Sequence, residues 1–110
     1  MIVTTSSSIA GLKIRKTLGL VSGNTIRARH LGRDIVAGLK HLVGGEIEEY
    51  TKMLGESREQ ALDRMVARAQ ERGADAVLDV RFSTSYVMPS AAEILVYGTA
   101  VVLEAPAGDS

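Results

Sequence analysis

Two residues with metal-ligating side chains lie one helical turn apart in this chain. His30 and Asp34 are four positions apart where a short helix is expected to begin, so both could face one divalent ion. Glu46 opens an acidic group with Glu48 and Glu49, which could hold a cation at the axis of an oligomer. Both sets also have simpler explanations. His30 and Asp34 suit a hydrogen-bonded pair, and the glutamates stabilise the positive end of a helix dipole.

A second group of residues could bind a small polar ligand. Asp79 and Arg81 alternate along the polar side of a predicted strand. The alternative is that they pair with polar groups on a neighbouring strand. Arg27 and Arg29 end another predicted strand and could bind an anion, or they could guard an edge strand with charge. Arg29, Asp79 and Arg81 are therefore the candidate ligand-binding residues.

Several kinds of catalysis have no support in the sequence. The chain has no cysteine, which excludes thiolate metal sites, disulfides and thiol nucleophiles. Ser6, Ser7 and Ser8 have no histidine at a recognisable motif spacing, so a serine nucleophile is not supported. Gly44-Gly45 precedes a helix but lacks the strand and the Lys-Ser/Thr pair of a phosphate loop. We expect a protein that is not an enzyme and that has no cofactor other than a possible divalent metal.

Charge and hydropathy limit the partners. Thirteen basic and thirteen acidic residues cancel, so no net field attracts nucleic acid or an anionic membrane. The opening MIVTTSSSIAG lacks the basic and apolar regions of a signal peptide. No stretch approaches the roughly 18 apolar residues that span a bilayer. We expect a cytoplasmic protein with no nucleic-acid or membrane partner.

One long amphipathic helix must position these candidates. Glycines flank the segment from Gly44 to Gly73, and Gly73 suits a left-handed C-terminal cap. Gly55 interrupts the segment, and Ser57 with Gln60 has the spacing of a capping box, so two helices are the alternative. One helix is favoured because the apolar stripe stays in phase across Gly55, through Ile47, Tyr50, Leu54, Ala61, Met65 and Ala69.

Strands and a short helix account for the remaining chain. Apolar spacing indicates a short helix between Leu31 and Leu42. Alternation places Leu18 and Leu20 on one face of the second strand. Residues 22–24 could form a turn or a bulge, and the bulge is favoured because residues 25–28 resume a strand-like pattern. In the third strand it places Leu78, Val80 and Phe82 on one face. Period-two patterns predict strands over residues 1–5, 12–28, 76–86 and 94–103.

The last predicted strand carries apolar side chains on both faces, and a strand of this kind is covered on both sides. One long helix covers one face of a small sheet, so the short helix or a second subunit must cover the other. We therefore expect self-association, since an uncovered apolar patch promotes aggregation. The length indicates a single α+β domain over residues 1–105, followed by a flexible tail at 106–110.

An ordered set of segments resembles the YbjQ-like family of small bacterial and archaeal proteins of uncharacterised function. The resemblance covers nearly the whole chain. It rests on Arg33-Asp34, Arg64 and Ala69, and on the segments MIVTT, LGLVSGNTI, GGEIEEYTKML, GADAVLDVRF and EILVYGTAVV.

The resemblance implies a small α+β subunit with dodecin-like topology, assembled as a homopentameric ring. It adds no catalytic residues, and the heavy-metal-binding label of the family fits poorly with a chain that has no cysteine. Our main hypothesis is a non-enzymatic homo-oligomeric module that binds a small ligand or partner at subunit interfaces. The alternatives are a divalent-metal-binding protein and an enzyme with an active site between subunits.

Overall fold

The computed structural model describes residues 1–28, 45–88 and 91–104. It contains a four-stranded mixed sheet in the order β1-β3-β4-β2, with one helix packed on it. The predicted short helix, residues 89–90 and the predicted tail lie outside the described residues. The elements are β1 (Ile2–Val3), β2 (Ile14–Ala28), α1 (Gly45–Glu71), β3 (Ala76–Met88) and β4 (Ala91–Leu103).

Helix α1 is continuous across Gly55, which confirms the prediction of one helix. The Ser57 hydroxyl donates to the carbonyl of Met53 at 2.8 Å, within the helix, and does not cap a second one. Gly73 has a φ of 80° and ends the helix as predicted. The amides of Gly73 and Ala74 donate backward to the carbonyls of Gln70 and Ala69, both at 3.0 Å, which is the Schellman arrangement.

The main core lies between α1 and one face of the sheet. Gly23 of β2 allows the close approach of the two, because a Cβ there would overlap the backbone of Ala61 and Met65. The helix contributes one residue per turn to this core, as the predicted stripe requires. Its buried members are Val21, Ala61, Met65, Ala69, Val77, Val80, Ile94, Val96 and Ala100.

A smaller cluster lies on the opposite face of the sheet. It consists of the buried Ala76, Leu78 and Val101, with Ile9 and Leu103 packed against them. Strand β4 therefore contributes buried side chains to both faces, as its two-sided apolar pattern predicts.

Two predictions about β2 are wrong. The strand is a single long one, but pairing with β4 is regular through residues 22–24, where a bulge was predicted. The register instead shifts between Ile14 and Lys16 and between Thr17 and Gly19. These irregularities change the alternation, so Leu18 packs against the helix-side core while Leu20 is 71% exposed on the other face.

Candidate functional site

A bulge in β3 changes the face on which its side chains lie. The register with β4 shifts between Leu78 and Arg81, and Asp79 has a φ of 54°. Aspartate tolerates this left-handed conformation better than most residues. The opposing Gly98 leaves the necessary space, because a Cβ there would lie 2.6 Å from Cγ1 of Val77. The prediction that Leu78, Val80 and Phe82 share a face is therefore wrong, since Leu78 and Val80 enter different clusters.

The N-terminal segment folds over this bulge. Strand β1 pairs with β3 in parallel through Ile2 and Ala76 and through Val3 and Val77. Beyond β1, the amide of Val80 donates to the carbonyl of Thr4 at 3.0 Å. The amide of Asp79 donates to the carbonyl of Ser6, also at 3.0 Å. Hydrogen bonds from the N-terminal segment thus continue along β3 as far as Val80.

The polar side chains of the bulge contact the same segment. The Ser7 hydroxyl donates to Oδ1 of Asp79 at 2.8 Å. Nη1 of Arg81 donates to the carbonyl of Thr5 at 3.0 Å and to that of Val80 at 2.9 Å. Asp79 and Arg81 thus both hold the residues that follow β1. Ser7 and Thr5 are the partners that strand alternation did not identify.

The structure describes the backbone position of only one of the other candidates, Glu46. Arg29, His30 and Asp34 lie outside the described residues, and Glu46 lies in the first turn of α1. Residues 1–28, 45–88 and 91–104 contain no group of three or more histidine, cysteine or acidic residues placed to hold a metal ion.

A row of arginines joins α1 to the outer edge of β2. Nη1 of Arg64 donates to the carbonyl of Asn24 at 2.6 Å, and Nη1 of Arg68 donates to that of Ser22 at 2.9 Å. Arg72 donates to the carbonyls of Leu20 and Leu18. We call Arg64, Arg68 and Arg72 the arginine row.

The arginine row matches the repeat of the strand beside it. Four helical residues rise about 6.0 Å, and two strand residues rise about 6.7 Å. Arginines four apart on α1 therefore reach carbonyls two apart on β2. One turn before Arg64, Gln60 accepts a 2.8 Å hydrogen bond from Arg27. Of the two arginines predicted to guard this edge, Arg27 therefore bonds the helix, while Arg29 lies outside the described residues.

The outer edge of β3 is different beyond the bulge. From Arg81 to Met88, β3 pairs with β4 on one side. No described strand pairs with its other side there, since β1 ends at Val3. We call the outer side of residues 82–88 the open edge. The sequence of residues 82–88, FSTSYVM, contains neither a charged residue nor a proline, which are the usual means of protecting an edge strand.

Large apolar side chains are exposed on both faces of the sheet. Leu20 and Ile26, on the face away from α1, are 71% and 59% exposed. Phe82 and Tyr86, which flank the open edge on the helix side, are 47% and 82% exposed. The Cα radius of gyration is 18.4 Å, against about 13 Å for a compact domain of this length. The subunit is therefore elongated, with more apolar surface than its own described core covers.

The described helix does not combine the length and apolar character that crossing a bilayer requires.

The fold, with its βαββ unit and added N-terminal strand, defines a class of small α+β proteins. The YbjQ_1 family model, described as "Putative heavy-metal-binding", matches residues 1–104. A UPF0145 protein of Dehalococcoides mccartyi is 61% identical over 104 residues, covering 94% of this chain and 100% of the relative. A UPF0145 protein of Methanosarcina acetivorans is 60% identical over 101 residues, covering 92% and 95%. The chain therefore belongs to the YbjQ-like family, as its sequence pattern predicts.

A solved structure supports the fold. A crystal structure of a DUF74-family protein of unknown function from Pediococcus pentosaceus has a TM-score of 0.67 to this chain, with 18% identity. The likeness covers 94% of this chain and 98% of that one. At this identity the comparison shows a shared fold and carries no information about activity.

Proposed function

We propose that this protein is a non-enzymatic homo-oligomeric module that binds a small ligand or partner at its subunit interfaces. The observation that carries the proposal is the exposed apolar surface on both faces of one sheet. Leu20 and Ile26 lie on one face, and Phe82 and Tyr86 lie on the other. Fully burying a large apolar side chain contributes about 1.5–3 kcal/mol, so covering this surface favours association.

The assembly we propose is a homopentameric ring of subunits with dodecin-like topology, as the family resemblance implies. The sheet order supports the topology, because β4 lies between β2 and β3 and the helix connects β2 to β3. The elongated subunit supports an assembly in which neighbours cover each other's faces.

The bulge of β3 is the proposed ligand site within the described residues. Asp79 and Arg81 lie there with the N-terminal segment, and Arg81 is exposed. The bonds from Arg81 to Thr5 and Val80 both use Nη1, and a guanidinium group has further donors that suit a small anionic or polar ligand. Arg29 is a further proposed member. A neighbouring subunit would complete this site by covering the adjacent sheet face.

Native mass spectrometry of protein purified without added metal or chelator tests the proposal. The expected result is a homo-oligomer of five copies or a multiple of five. A mass beyond that of the polypeptides, lost under denaturing conditions, would identify a ligand and its stoichiometry. A monodisperse monomer at micromolar concentration would overturn the proposal.

Divalent-metal binding is a second candidate, favoured by the family description and by the spacing of His30 and Asp34. With Glu46 repeated around a symmetry axis, one weak ligand per subunit becomes several. Calorimetric titration with zinc, nickel and copper tests it. Binding that is stoichiometric in the native protein and is lost in His30→Ala would support it. Absence of heat and of metal uptake would overturn it.

A further inference from the structure

The open edge of β3 carries main-chain groups that point away from the sheet. The amide of Val80 donates outward to the carbonyl of Thr4. Backbone groups alternate in direction along a strand, so the N–H and C=O groups of Phe82, Thr84 and Tyr86 also point outward.

The pairing of β4 with both β3 and β2 supports this outward direction of the main-chain groups of Phe82, Thr84 and Tyr86. Val96 pairs with Phe82 on one side and with Gly23 on the other. If the N–H and C=O groups of Phe82 point away from the sheet, the main chains of Val96 and Gly23 exchange hydrogen bonds. The main-chain groups of Ser22 and Asn24 then point outward from β2. The carbonyls of Ser22 and Asn24 accept hydrogen bonds from the arginine row, so they do point away from β4.

We propose that the open edge pairs antiparallel with the same edge of a second copy, centred on Thr84. The inference rests on the proposed function, because it names one of the contacts by which the module self-associates. Three hydrogen-bonded residue pairs would form across the two-fold axis, each exchanging two N–H···O bonds. The two sheets would become one continuous sheet.

The sequence of the open edge is complementary to itself in this register. Phe82 lies opposite Tyr86 of the partner subunit, so two aromatic cross-strand pairs form on the helix side. Thr84 lies opposite the partner's Thr84, which is another favourable pair. On the other face, Ser83 lies opposite the partner's Ser85, and no like charges meet. This self-complementarity favours a second copy over a foreign peptide.

The opposite edge of the sheet does not offer an equivalent site. The arginine row already bonds the carbonyls of Leu18, Leu20, Ser22 and Asn24 along β2. A two-fold contact at β3 therefore uses the available edge of both copies and closes, without extending into a fibre. If subunits also form a five-fold ring through other surfaces, this contact joins two rings.

Charge exchange at Thr84 tests the two-fold register. In Thr84→Lys two lysines would face each other, and in Thr84→Glu two glutamates would, so each variant alone should dissociate at this contact. An equimolar mixture should recover it, because lysine then faces glutamate. Native mass spectrometry should show assemblies of half the wild-type copy number for each variant and mixed assemblies of full size after combination. Thr84→Val, which adds no charge, is the matched control.

Thr84→Pro tests the main-chain bonds directly. The Thr84 amide points outward, so proline there removes no bond to β4, and far-UV circular dichroism should be retained. We expect the dissociation constant of the two-fold contact to rise roughly tenfold or more, since both central donors are lost. Thr84→Val should leave it unchanged.

The outcomes separate this inference from the proposed function. An even-numbered wild-type assembly that responds to these substitutions supports both. An odd-numbered assembly, such as a single pentamer, overturns the two-fold contact but leaves the oligomeric module standing. Variants that keep the wild-type assembly also overturn the contact, showing that another surface or the chain's own segment covers the edge. A wild-type monomer overturns both.

Discussion

The outer edges of β2 and β3 belong to one sheet, yet side chains of α1 cover the first, whereas the described chain leaves the second bare beyond its bulge. Along β2, arginines from the helix occupy the outward carbonyls of four residues. Along β3, hydrogen bonds from the N-terminal segment end at Val80. The sequence FSTSYVM then continues with no charge.

Within the described residues, this difference indicates which edge of the sheet could pair with another strand. An edge bonded by guanidinium groups cannot accept another strand without losing those bonds, whereas a bare edge gains hydrogen bonds on pairing. The exposed Phe82 and Tyr86 accompany the bare edge, so apolar area and main-chain groups would be buried together. Protecting one edge also restricts growth, because two available edges would allow open-ended polymerisation.

The largest expected effect comes from forcing α1 and β2 apart at their closest approach. Gly23→Ala places a Cβ against the backbone of Ala61 and Met65, so strand and helix must move apart. We expect a loss of about 2–4 kcal/mol in the free energy of unfolding, measured by urea denaturation.

Gly55→Ala is the matched control, because a Cβ at Gly55 meets nothing within 4 Å. It should stabilise the helix by about 0.5–1 kcal/mol. If Gly23→Ala were as well tolerated as Gly55→Ala, the close packing of α1 on β2 would be wrong.

Removing the arginine row should leave the outer edge of β2 as unprotected as the open edge of β3. Arg64→Gln, Arg68→Gln and Arg72→Gln combined leave the outward carbonyls of β2 bonded to water only. Since these bonds are exposed, we expect a modest loss of about 1–2 kcal/mol. The more diagnostic result is new concentration-dependent association beyond the wild-type assembly, measured by light scattering.

Arg58→Gln, at an exposed position on the same helix, provides the control for the loss of one positive charge. It should leave the assembly unchanged. A triple variant that scatters light like the wild type at every concentration would show that the row does not protect the edge.

Local patterns predicted the helix well, because its signals are contained within the segment. The apolar stripe repeats with the helical period, and Gly73 permits the left-handed cap whatever the rest of the chain does. The two-sided pattern of β4 likewise requires only that both its faces are covered. Its buried residues do lie in two clusters.

The bulges were not predictable in this way, because a bulge is defined by a partner strand. Asp79 follows an alternating pattern in sequence, but Gly98 across the sheet is what permits the extra residue. The bonds of the arginine row were not predictable for the same reason, because they depend on a neighbouring strand. Its spacing of four is visible on the helix, while the carbonyls it bonds are identified only when β2 lies beside it. Asp79 and Arg81 were found as polar residues, and their partners come from a segment more than 70 positions away.

The smallest expected effect concerns the bulge where the covered part of the β3 edge ends. Asp79→Ala places a less tolerant residue at a positive φ and removes the acceptor of the Ser7 hydroxyl. We expect a loss of about 1 kcal/mol in the free energy of unfolding. Asp79→Asn keeps both an acceptor and a residue that tolerates this conformation, and should cost less than about 0.5 kcal/mol.

Ser7→Ala separates the two contributions to the Asp79 effect. It removes only the exposed hydrogen bond, so we expect about 0.5 kcal/mol or less. In a double-mutant cycle by urea denaturation, Ser7→Ala should cost nothing further once Asp79 is alanine, because the bond is already absent. If the two losses added fully, Ser7 and Asp79 would not interact. The backbone bonds to Thr4 and Ser6, together with the Arg81 bond to the Thr5 carbonyl, would then hold the segment over β3. The covered part of the edge would depend mainly on main-chain pairing, as we propose for the open part.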